Sequence, residues 1–261
     1  MANLPQSGPD WLAYYEQTLE RPRYREAGRL LTHGAKVYSQ NDEDGILQEI
    51  FRRIGIESRS FVEFGVQTGV ECTSVLLLMT GWTGLWLEAN AGHAKAIQKR
   101  FEPLIASGRL SFAHAIVSPD TVNNQLGPQG DVDLLSIDVD YHDYWIWKAL
   151  TAIQPRVLVI EYNATLKPPL SLTVPYDEND HWDGTNFFGA SLKALEKLGR
   201  EKGYSLVGCC FSGVNAFFVR DDLVGTHFCA PYTAENHYEP PRYAMRYPAG
   251  HPPGLGLYED V

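Results

Sequence analysis

Several features that would assign a function class at once are missing from this 261-residue sequence. No apolar run approaches the roughly 20 residues that a transmembrane helix needs, and the polar first 31 residues contain no apolar core of a secretory signal. A basic excess is also missing, because 22 Lys and Arg face 32 Asp and Glu, for a net charge of −10. Proteins that bind phosphate backbones normally show a basic face. We therefore expect a cytoplasmic protein that acts on a small molecule and binds neither membranes nor nucleic acid.

Cysteine is scarce, and its spacing excludes the common cysteine sites. The chain has four cysteines, at positions 72, 209, 210 and 229, and none of them forms a Cys-x-x-Cys pair. Zinc and redox sites usually show that spacing. Cys209 and Cys210 lie in an apolar run, where cysteine behaves as a small buried hydrophobe. We expect four reduced, structural thiols.

Short apolar runs alternate with helical patterns, which is typical of a mostly parallel sheet in an α/β protein. The predicted strands are Ser60–Phe64 and residues 84–87, 110–117, 132–137, 156–160, 206–211 and 215–219. The predicted helices are Glu43–Ile54 and residues 72–79, 91–105, 144–153 and 189–202. Ser212 and Gly213 join the last two strands so tightly that these strands are expected to form an antiparallel hairpin.

The length suits one large domain. We assign residues 38–229 to this domain, residues 1–37 to an N-terminal helical extension, and residues 230–261 to a tail rich in Pro and Tyr. The tail has no periodicity, and we expect it to be a surface strap or part of a substrate lid. It could also exchange between the subunits of a homo-oligomer.

The turn from Glu63 to Gly69 is the strongest candidate for a ligand site. It follows a predicted strand, contains Gly-x-x-x-Gly and precedes a helix. Gly65 would let the backbone approach a bound nucleoside, and Gly69 would permit a tight entry into the helix. A tight strand-to-helix turn without any ligand is the alternative, because glycine is favoured in such turns anyway.

The acids around this turn favour one cofactor over another. Glu63 lies just before the first glycine, where its buried carboxylate would need a partner such as a ligand amino group. Glu88 ends the second strand at the spacing where an acid accepts hydrogen bonds from ribose hydroxyls. Glu63 would repel a pyrophosphate, whereas S-adenosylmethionine (SAM) has no phosphate and carries an ammonium and a sulfonium. The charges therefore favour SAM over NAD.

Two other functions are also consistent with the turn from Glu63 to Gly69. An NAD-dependent oxidoreductase on a Rossmann fold would be expected to carry Gly-x-Gly-x-x-Gly near Gly65, and the sequence does not have it. A non-catalytic protein that binds SAM or a nucleotide is opposed only by the crowding of polar residues at 138–143 and 181–183.

Five ordered motifs resemble one family. They are residues 38–45 (YSQNDEDG), 61–65 (FVEFG), 84–88 (GLWLE), 136–140 (SIDVD) and 212–219 (SGVNAFFV). Together they resemble the FkbM-like family of class I SAM-dependent methyltransferases. The resemblance implies a Rossmann-like class I methyltransferase fold, with a mostly parallel seven-stranded sheet and a C-terminal antiparallel hairpin. It also implies SAM-dependent methylation of a small polar acceptor, such as O-methylation of a sugar or a natural product.

The same resemblance implies roles for individual residues. Those that would surround the cofactor are Gln40, Glu63, Gly65, Gln67 and Gly69 near its methionine part, Glu88 at its ribose, Ile116, Val117 and Ser118 at its adenine, and Asp138 at its methyl group. One departure is visible, because a glycine is expected where this chain has Tyr141. That departure leaves the shape of the loop and the identity of the catalytic base open.

Asp138, His142 and His181 are the candidate catalytic residues. Methyl transfer often requires removal of a proton from the nucleophile, and the ordinary pKa of histidine suits that task. His142 lies in the densest polar cluster, although it could instead be a loop histidine packed against Tyr141 or Tyr144. His181 lies on a long loop after the fifth strand, where aromatic and polar residues suit recognition of a polar substrate.

A magnesium site is a further hypothesis. Some related class I O-methyltransferases place a divalent cation between acids at the ends of the fourth and fifth strands. By this resemblance Asp138, Glu161 and Asn163 would supply the oxygen ligands that Mg²⁺ prefers.

Overall fold

A computed structural model describes residues 8–126, 131–242 and 259–260, with side chains at 14–126 and 131–242. The helices are α1 Gly8–Leu19, α2 Glu43–Ile54, α3 Val75–Met79, α4 Ala91–Arg100, α5 Glu102–Ala106, α6 Val122–Leu126, α7 Asp143–Ala149, α8 Leu192–Glu201, α9 Asp221–Val224 and α10 Ala234–His237. The strands are β1 Ser60–Phe64, β2 Thr83–Glu88, β3 Leu110–His114, β4 Leu134–Ile137, β5 Val157–Glu161, β6 Leu172–Thr173, β7 Tyr204–Cys209, β8 Asn215–Arg220 and β9 Glu259–Asp260. Two 3₁₀ helices, Pro22–Arg25 and Leu31–His33, precede α2.

Seven of these strands form one twisted sheet in the order β3-β2-β1-β4-β5-β8-β7. The pairs from β3 to β5 are parallel, and β8 is antiparallel to both β5 and β7. Six strands therefore point the same way and one points back. The predicted α/β fold, with a mostly parallel Rossmann-like sheet of seven strands and a C-terminal antiparallel hairpin, is confirmed.

The central strands are apolar on both sides because helices cover both faces of the sheet. On one face Val62, Leu135 and Phe218 belong to a core that includes Trp147 of α7. On the other face the adjacent residues of the same strands belong to a second core with Ile50 of α2. The two cores hold the strands in register, so that the carboxyl ends of β1, β2, β4 and β5 lie along one edge.

The structure differs from the predicted elements mainly in where individual helices and strands end. The helix predicted over residues 91–105 is two helices, because α4 ends at Arg100 and Pro103 begins a new turn within α5. β3 ends at His114, so residues 115–118 form a loop at the sheet edge. The long loop after β5 contains β6, which pairs with β9 in a separate two-stranded sheet.

Residues 230–242 of the predicted tail lie against the N-terminal segment. Glu239 accepts hydrogen bonds from Arg23, Tyr24 and Arg242, and Arg29 donates to the carbonyl oxygen of Asn236 at 2.7 Å. Residues 243–258 lie outside the described part of the chain. Within that part, no helix is long and apolar enough to cross a bilayer. All four cysteines are free, buried thiols.

Candidate functional site

Two adjoining cavities open at the carboxyl edge of the sheet. The first has a volume of about 400 Å³ and the second about 270 Å³. Gly65, Gln67 and Asp138 line both of them, so these residues mark the junction. The walls of the first are completed by Gln40, Glu43, Glu63, Val66, Thr68, Val70, Glu71, Cys72, Thr73, Arg100 and Asn215. The walls of the second are completed by Leu87, Glu88, Ala89, Asn90, His93, Ala115, Val117, Val139 and Asp140.

Gly65 is required by the sheet itself. Its φ of 76° lies in the left-handed region, and a Cβ added to it would lie 1.6 Å from the carbonyl oxygen of Asp138. The parallel pairing of β1 with β4 forces this approach, because Asp138 donates its N–H to the carbonyl oxygen of Phe64. The sequence predicts that Gly65 makes room for a ligand. The atom that a side chain at this position would meet first is the carbonyl oxygen of Asp138.

Gly69 serves packing and does not line either cavity. A Cβ at this position would lie 2.7 Å from the ring of Phe101 and 2.9 Å from the ring of Trp86. These two rings meet edge to face, with 4.8 Å between centroids. Gly69 thus lets the turn settle against the end of α4, which differs from the direct contact with a cofactor expected from the sequence.

Glu63 is satisfied within the chain, which corrects the argument that its carboxylate needs a ligand. It accepts hydrogen bonds from Thr73 N at 2.8 Å and from Ser74 N at 3.0 Å, and also from the hydroxyl of Ser74. The indole Nε1 of Trp86 donates to that hydroxyl at 2.8 Å. Burial raises the pKa of the Glu63 carboxyl despite these donors. Glu63 still lines the first cavity, as part of the scaffold that shapes the turn.

Glu88 ends β2 at the second cavity. One carboxylate oxygen accepts from Gln67 N and the other from Asn90 N, each at 2.7 Å. Each oxygen has a further lone pair for another donor. Glu88 therefore fixes the turn after β1 and can accept a hydrogen bond from a ligand hydroxyl at the same time.

The second cavity combines this carboxylate with apolar walls. Leu87, Ala115, Val117 and Val139 provide the apolar surface. Such a slot suits a flat base with a polar sugar at one end. Ser118 does not line it, because its N–H and hydroxyl lie 3.0 and 3.1 Å from the hydroxyl oxygen of Thr121 near the start of α6. Ile116, on the loop after β3, is 72% exposed.

Acids converge at the ends of β4 and β5. Ligand oxygens of Asp138, Asp140 and Glu161 all lie within 4.8 Å of one another. Burial and the neighbouring carboxylates raise the pKa of Asp138 and of Glu161 well above their usual range. Burial also raises the pKa of Asp143 to about 7. The raised pKa values reflect the cost of keeping several negative charges close together in a buried place, a cost that a cation beside them would relieve.

Asn163, one of the predicted metal ligands, is already engaged by hydrogen bonds within its own loop. Its amide nitrogen donates to the carbonyl oxygens of Asn186 and Phe188, at 2.9 and 3.0 Å. Its Oδ1 accepts from the N–H and the hydroxyl of Thr165, at 3.1 and 2.5 Å. Asn163 is fully buried and fastens the loop after β5, whereas the oxygen that joins Asp138 and Glu161 comes from Asp140.

The two candidate histidines lie in different surroundings. His142 is half-buried between the rings of Tyr141 and Tyr176, with centroids 4.7 and 5.1 Å away. Its Nε2 is buried and has no hydrogen-bond partner among the described residues. Burial lowers the pKa of His142, which favours the neutral ring that can accept a proton. His181 is exposed, and neither His142 nor His181 lines a cavity.

Four polar or charged residues stand out among the lining residues to which the sequence assigned no role. Asp140 adopts a left-handed φ of 69°, and Glu43 and Asn215 are joined by a 2.9 Å hydrogen bond across the first cavity wall. Arg100, at the end of α4, is the fourth. The motif at 136–140 contained a signal for Asp140, whereas only the tertiary fold brings α2, α4 and β8 to this edge.

Comparison with known proteins gives matches among solved structures alone. No family model matches the chain, and no curated protein matches it. A SAM-dependent methyltransferase from Clostridium acetobutylicum is 10% identical, with a TM-score of 0.45, over 81% of this chain and 99% of that chain. The magnesium protoporphyrin IX methyltransferase of Synechocystis, with bound SAM, is 14% identical, with a TM-score of 0.42, over 84% and 100%. A glycopeptide N-methyltransferase is 15% identical, with a TM-score of 0.43, over 66% and 94%.

Proposed function

We propose that this chain is a SAM-dependent methyltransferase that acts on a small polar acceptor. The observation that carries the proposal is the pair of cavities joined at Gly65, Gln67 and Asp138. The second cavity, with apolar walls beside Glu88, suits an adenosine. The acidic cavity suits the ammonium of an amino acid, and the carboxylates at the junction suit a sulfonium.

A phosphate-bearing cofactor fits this edge poorly. The first cavity contains four acids and one cation among its lining residues. A pyrophosphate there would meet Glu63 and Asp138 at short range, which is unfavourable in a partly buried site. SAM, which carries no phosphate, therefore fits the acids around the first cavity better than NAD does.

His142 and Asp138 would divide the work of methyl transfer. SAM, when bound, supplies an electrophilic methyl group on a cationic sulfur. The carboxylate of Asp138 stabilises positive charge at the junction of the cavities. A neutral His142 takes the proton of the acceptor hydroxyl at Nε2, so that the acceptor oxygen becomes nucleophilic. Neither histidine lines a cavity, but His142 has a buried Nε2 without a partner among the described residues, whereas the ring of His181 is exposed.

The acceptor is proposed to be uncharged, such as a hydroxyl of a sugar or of a natural product. No Lys or Arg occurs between Arg109 and Lys148, or between Lys167 and Lys193. The first stretch contains the loop after β4, and the second contains the loop after β5 from residue 168 onward, beyond Lys167; both loops flank the acid cluster. An acceptor with a phosphate would find no cation in either stretch, whereas Tyr176 and Trp182 suit an apolar or sugar-like face.

Ligand-induced stabilisation tests the cofactor. SAM and S-adenosylhomocysteine should raise the melting temperature of the protein, and NAD should not. Glu88→Ala should abolish most of the rise, because it removes the acceptor for the ribose hydroxyls. Glu102→Ala, on α5 and away from both cavities, is the control and should retain the rise. Stabilisation by NAD alone would refute the proposal.

A divalent cation at Asp138, Asp140 and Glu161 is a second proposal, supported by the convergence of their oxygens. Such a cation would hold an acceptor oxygen and favour its deprotonation. Calorimetric titration with Mg²⁺ and then Mn²⁺ tests it on the protein without acceptor. Binding that Asp140→Asn weakens supports the site, whereas no heat for either ion, or equal binding by the variant, contradicts it.

A further inference from the structure

The end of helix α4 brings one cation to an otherwise acidic space. Among the described residues that line the first cavity, Arg100 is the only Lys or Arg, and Glu43, Glu63, Glu71 and Asp138 are the acids. Lys36, at the mouth, is already engaged by Glu71 at 2.8 Å and by the carbonyl oxygen of Gln40 at 3.0 Å. Arg100 is exposed, and no hydrogen bond or ion pair joins it to another described residue, so its guanidinium is available to a ligand.

Packing explains why the guanidinium lies there. α4 ends when Phe101 donates its N–H to the carbonyl oxygen of Ile97, at 2.9 Å, and turns its ring inward. That ring lies against the ring of Trp86. It also occupies the space that a Cβ at position 69 would need, which Gly69 leaves open. Because Phe101 is anchored, the preceding residue is held beside the turn after β1. A cation at a helix end is commonly only a partner of the helix dipole, but Lys99 occupies the same last turn without lining the cavity.

The charges of the cavity match the two ends of an amino acid. The acids suit an ammonium, and a single free guanidinium suits a carboxylate, which arginine binds through two parallel hydrogen bonds. We propose that Arg100 binds the carboxylate of the amino-acid part of SAM and thereby determines which way that part lies. This inference rests on the proposed function, because it assigns one end of the same cofactor.

Arg100 then acts as a specificity residue for the cofactor. It distinguishes ligands that carry the amino-acid carboxylate from ligands that end at the thioether. 5′-Methylthioadenosine has the adenosine and the sulfur of S-adenosylhomocysteine and lacks the carboxylate and the ammonium. It should use the second cavity alone and be indifferent to Arg100.

Calorimetry with these two ligands on the full chain provides the test. Arg100→Ala should weaken S-adenosylhomocysteine about tenfold or more, as expected for a charged hydrogen bond, and leave methylthioadenosine unchanged. Arg100→Lys should restore part of the affinity. Lys99→Ala, which removes the neighbouring cation, should leave both affinities unchanged, and the melting temperatures of the ligand-free variants show whether the fold is retained.

Each outcome separates this inference from the proposed function. If wild-type protein binds neither ligand, the SAM site itself is wrong. If wild-type protein binds S-adenosylhomocysteine and Arg100→Ala binds it equally well, only the role of Arg100 is refuted. Equal losses for both ligands would also refute that role, since they would indicate damage to the shared adenosine site.

Discussion

Two acids illustrate how much a single residue's role depends on its partners. Glu63 and Glu88 both end strands of the sheet, and both accept backbone N–H groups. Glu63 also accepts the Ser74 hydroxyl, so three donors share its two oxygens. Glu88 accepts two donors and faces the apolar cavity. The first acid therefore holds the scaffold, and the second combines that task with a place for a ligand.

Gly65→Ala tests the close approach of β1 and β4 at the level of one atom. A methyl group 1.6 Å from the Asp138 carbonyl oxygen cannot be accommodated without separating the strands. We expect a loss of more than about 3 kcal/mol in the free energy of unfolding. Gly108→Ala has the same sign of φ, 74°, with nothing within 4 Å, and should cost only about 1–2 kcal/mol of left-handed strain. Urea unfolding of both variants measures the contrast, and equal losses would contradict it.

Asp42→Asn tests a buried carboxyl beside the first cavity. Burial and the adjacent Glu43 raise the pKa of Asp42 to about 8. The folded state therefore binds more protons than the unfolded state between about pH 4 and pH 8, and stability falls as pH rises through that window. The amide cannot ionise, and its oxygen can still accept from Phe211 N.

The expected result is a change in relative stability with pH. From pH 5 to pH 8.5 the variant should gain at least about 1.4 kcal/mol over the wild type, the equivalent of one pKa unit. Urea unfolding at both pH values measures this change. A constant difference between the two proteins would show that Asp42 titrates normally.

At the level of elements, short polar connections hold the βα units in place. The carboxylate of Glu63 on β1 joins the segment before α3, and Ser74 continues the connection to Trp86 on β2. Three elements around the site thus depend on one buried acid. Because the partners are backbone N–H groups, their register with β1 is defined by geometry as well as by hydrophobic contact.

Glu63→Ala tests how much this buried connection contributes to the free energy of unfolding, compared with an exposed ion pair. It leaves Thr73 N, Ser74 N and the Ser74 hydroxyl without their acceptor in a buried position. We expect a loss of about 2–4 kcal/mol, since each unsatisfied buried donor costs about 1–3 kcal/mol and relaxation recovers part of it. Glu71→Ala removes an exposed ion pair with Lys36 and should cost less than about 1 kcal/mol. Thermal unfolding without ligand would show whether the two differ as stated.

At the scale of the whole molecule, charged groups join the segment before α2 to residues 239–242. Glu239 is 1% exposed and accepts from Arg23, Tyr24 and Arg242, while Arg242 lies 4.1 Å above the ring of Phe211. This connection ties the N-terminal segment to the β7–β8 hairpin. None of Arg23, Glu239 and Arg242 lines either cavity, so we assign this connection to the support of the fold.

Glu239→Ala should destabilise the protein by about 3–5 kcal/mol, because it leaves the buried Arg242 without its charge partner. Glu239→Gln should recover part of the loss through hydrogen bonds. Glu235→Ala, four residues earlier, removes only the partly exposed pair with Lys193 and should change stability little. Guanidinium unfolding of the three variants measures these differences, and similar losses for both alanine variants would argue against the proposed role of Glu239.

The architecture was readable from the sequence because periodicity and turn residues are local signals. Alternating apolar runs, Gly65 in a strand-to-helix turn and Ser212-Gly213 between two strands were sufficient to predict the seven-stranded sheet and its final hairpin. Helix ends were less accurate where one residue interrupts a pattern, as Pro103 does between α4 and α5.

The partners of the site residues were decided only by the tertiary structure. Glu63 is satisfied by Thr73 and Ser74, Asn163 by the far end of its own loop, and Gly65 faces Asp138 just past another strand. Arg100 and Asn215 reach the first cavity from elements far apart in the chain. A sequence pattern specifies which side chains a strand end carries. Which of them remain available to a ligand depends on distances between segments, and those distances are defined only when the sheet and its helices pack.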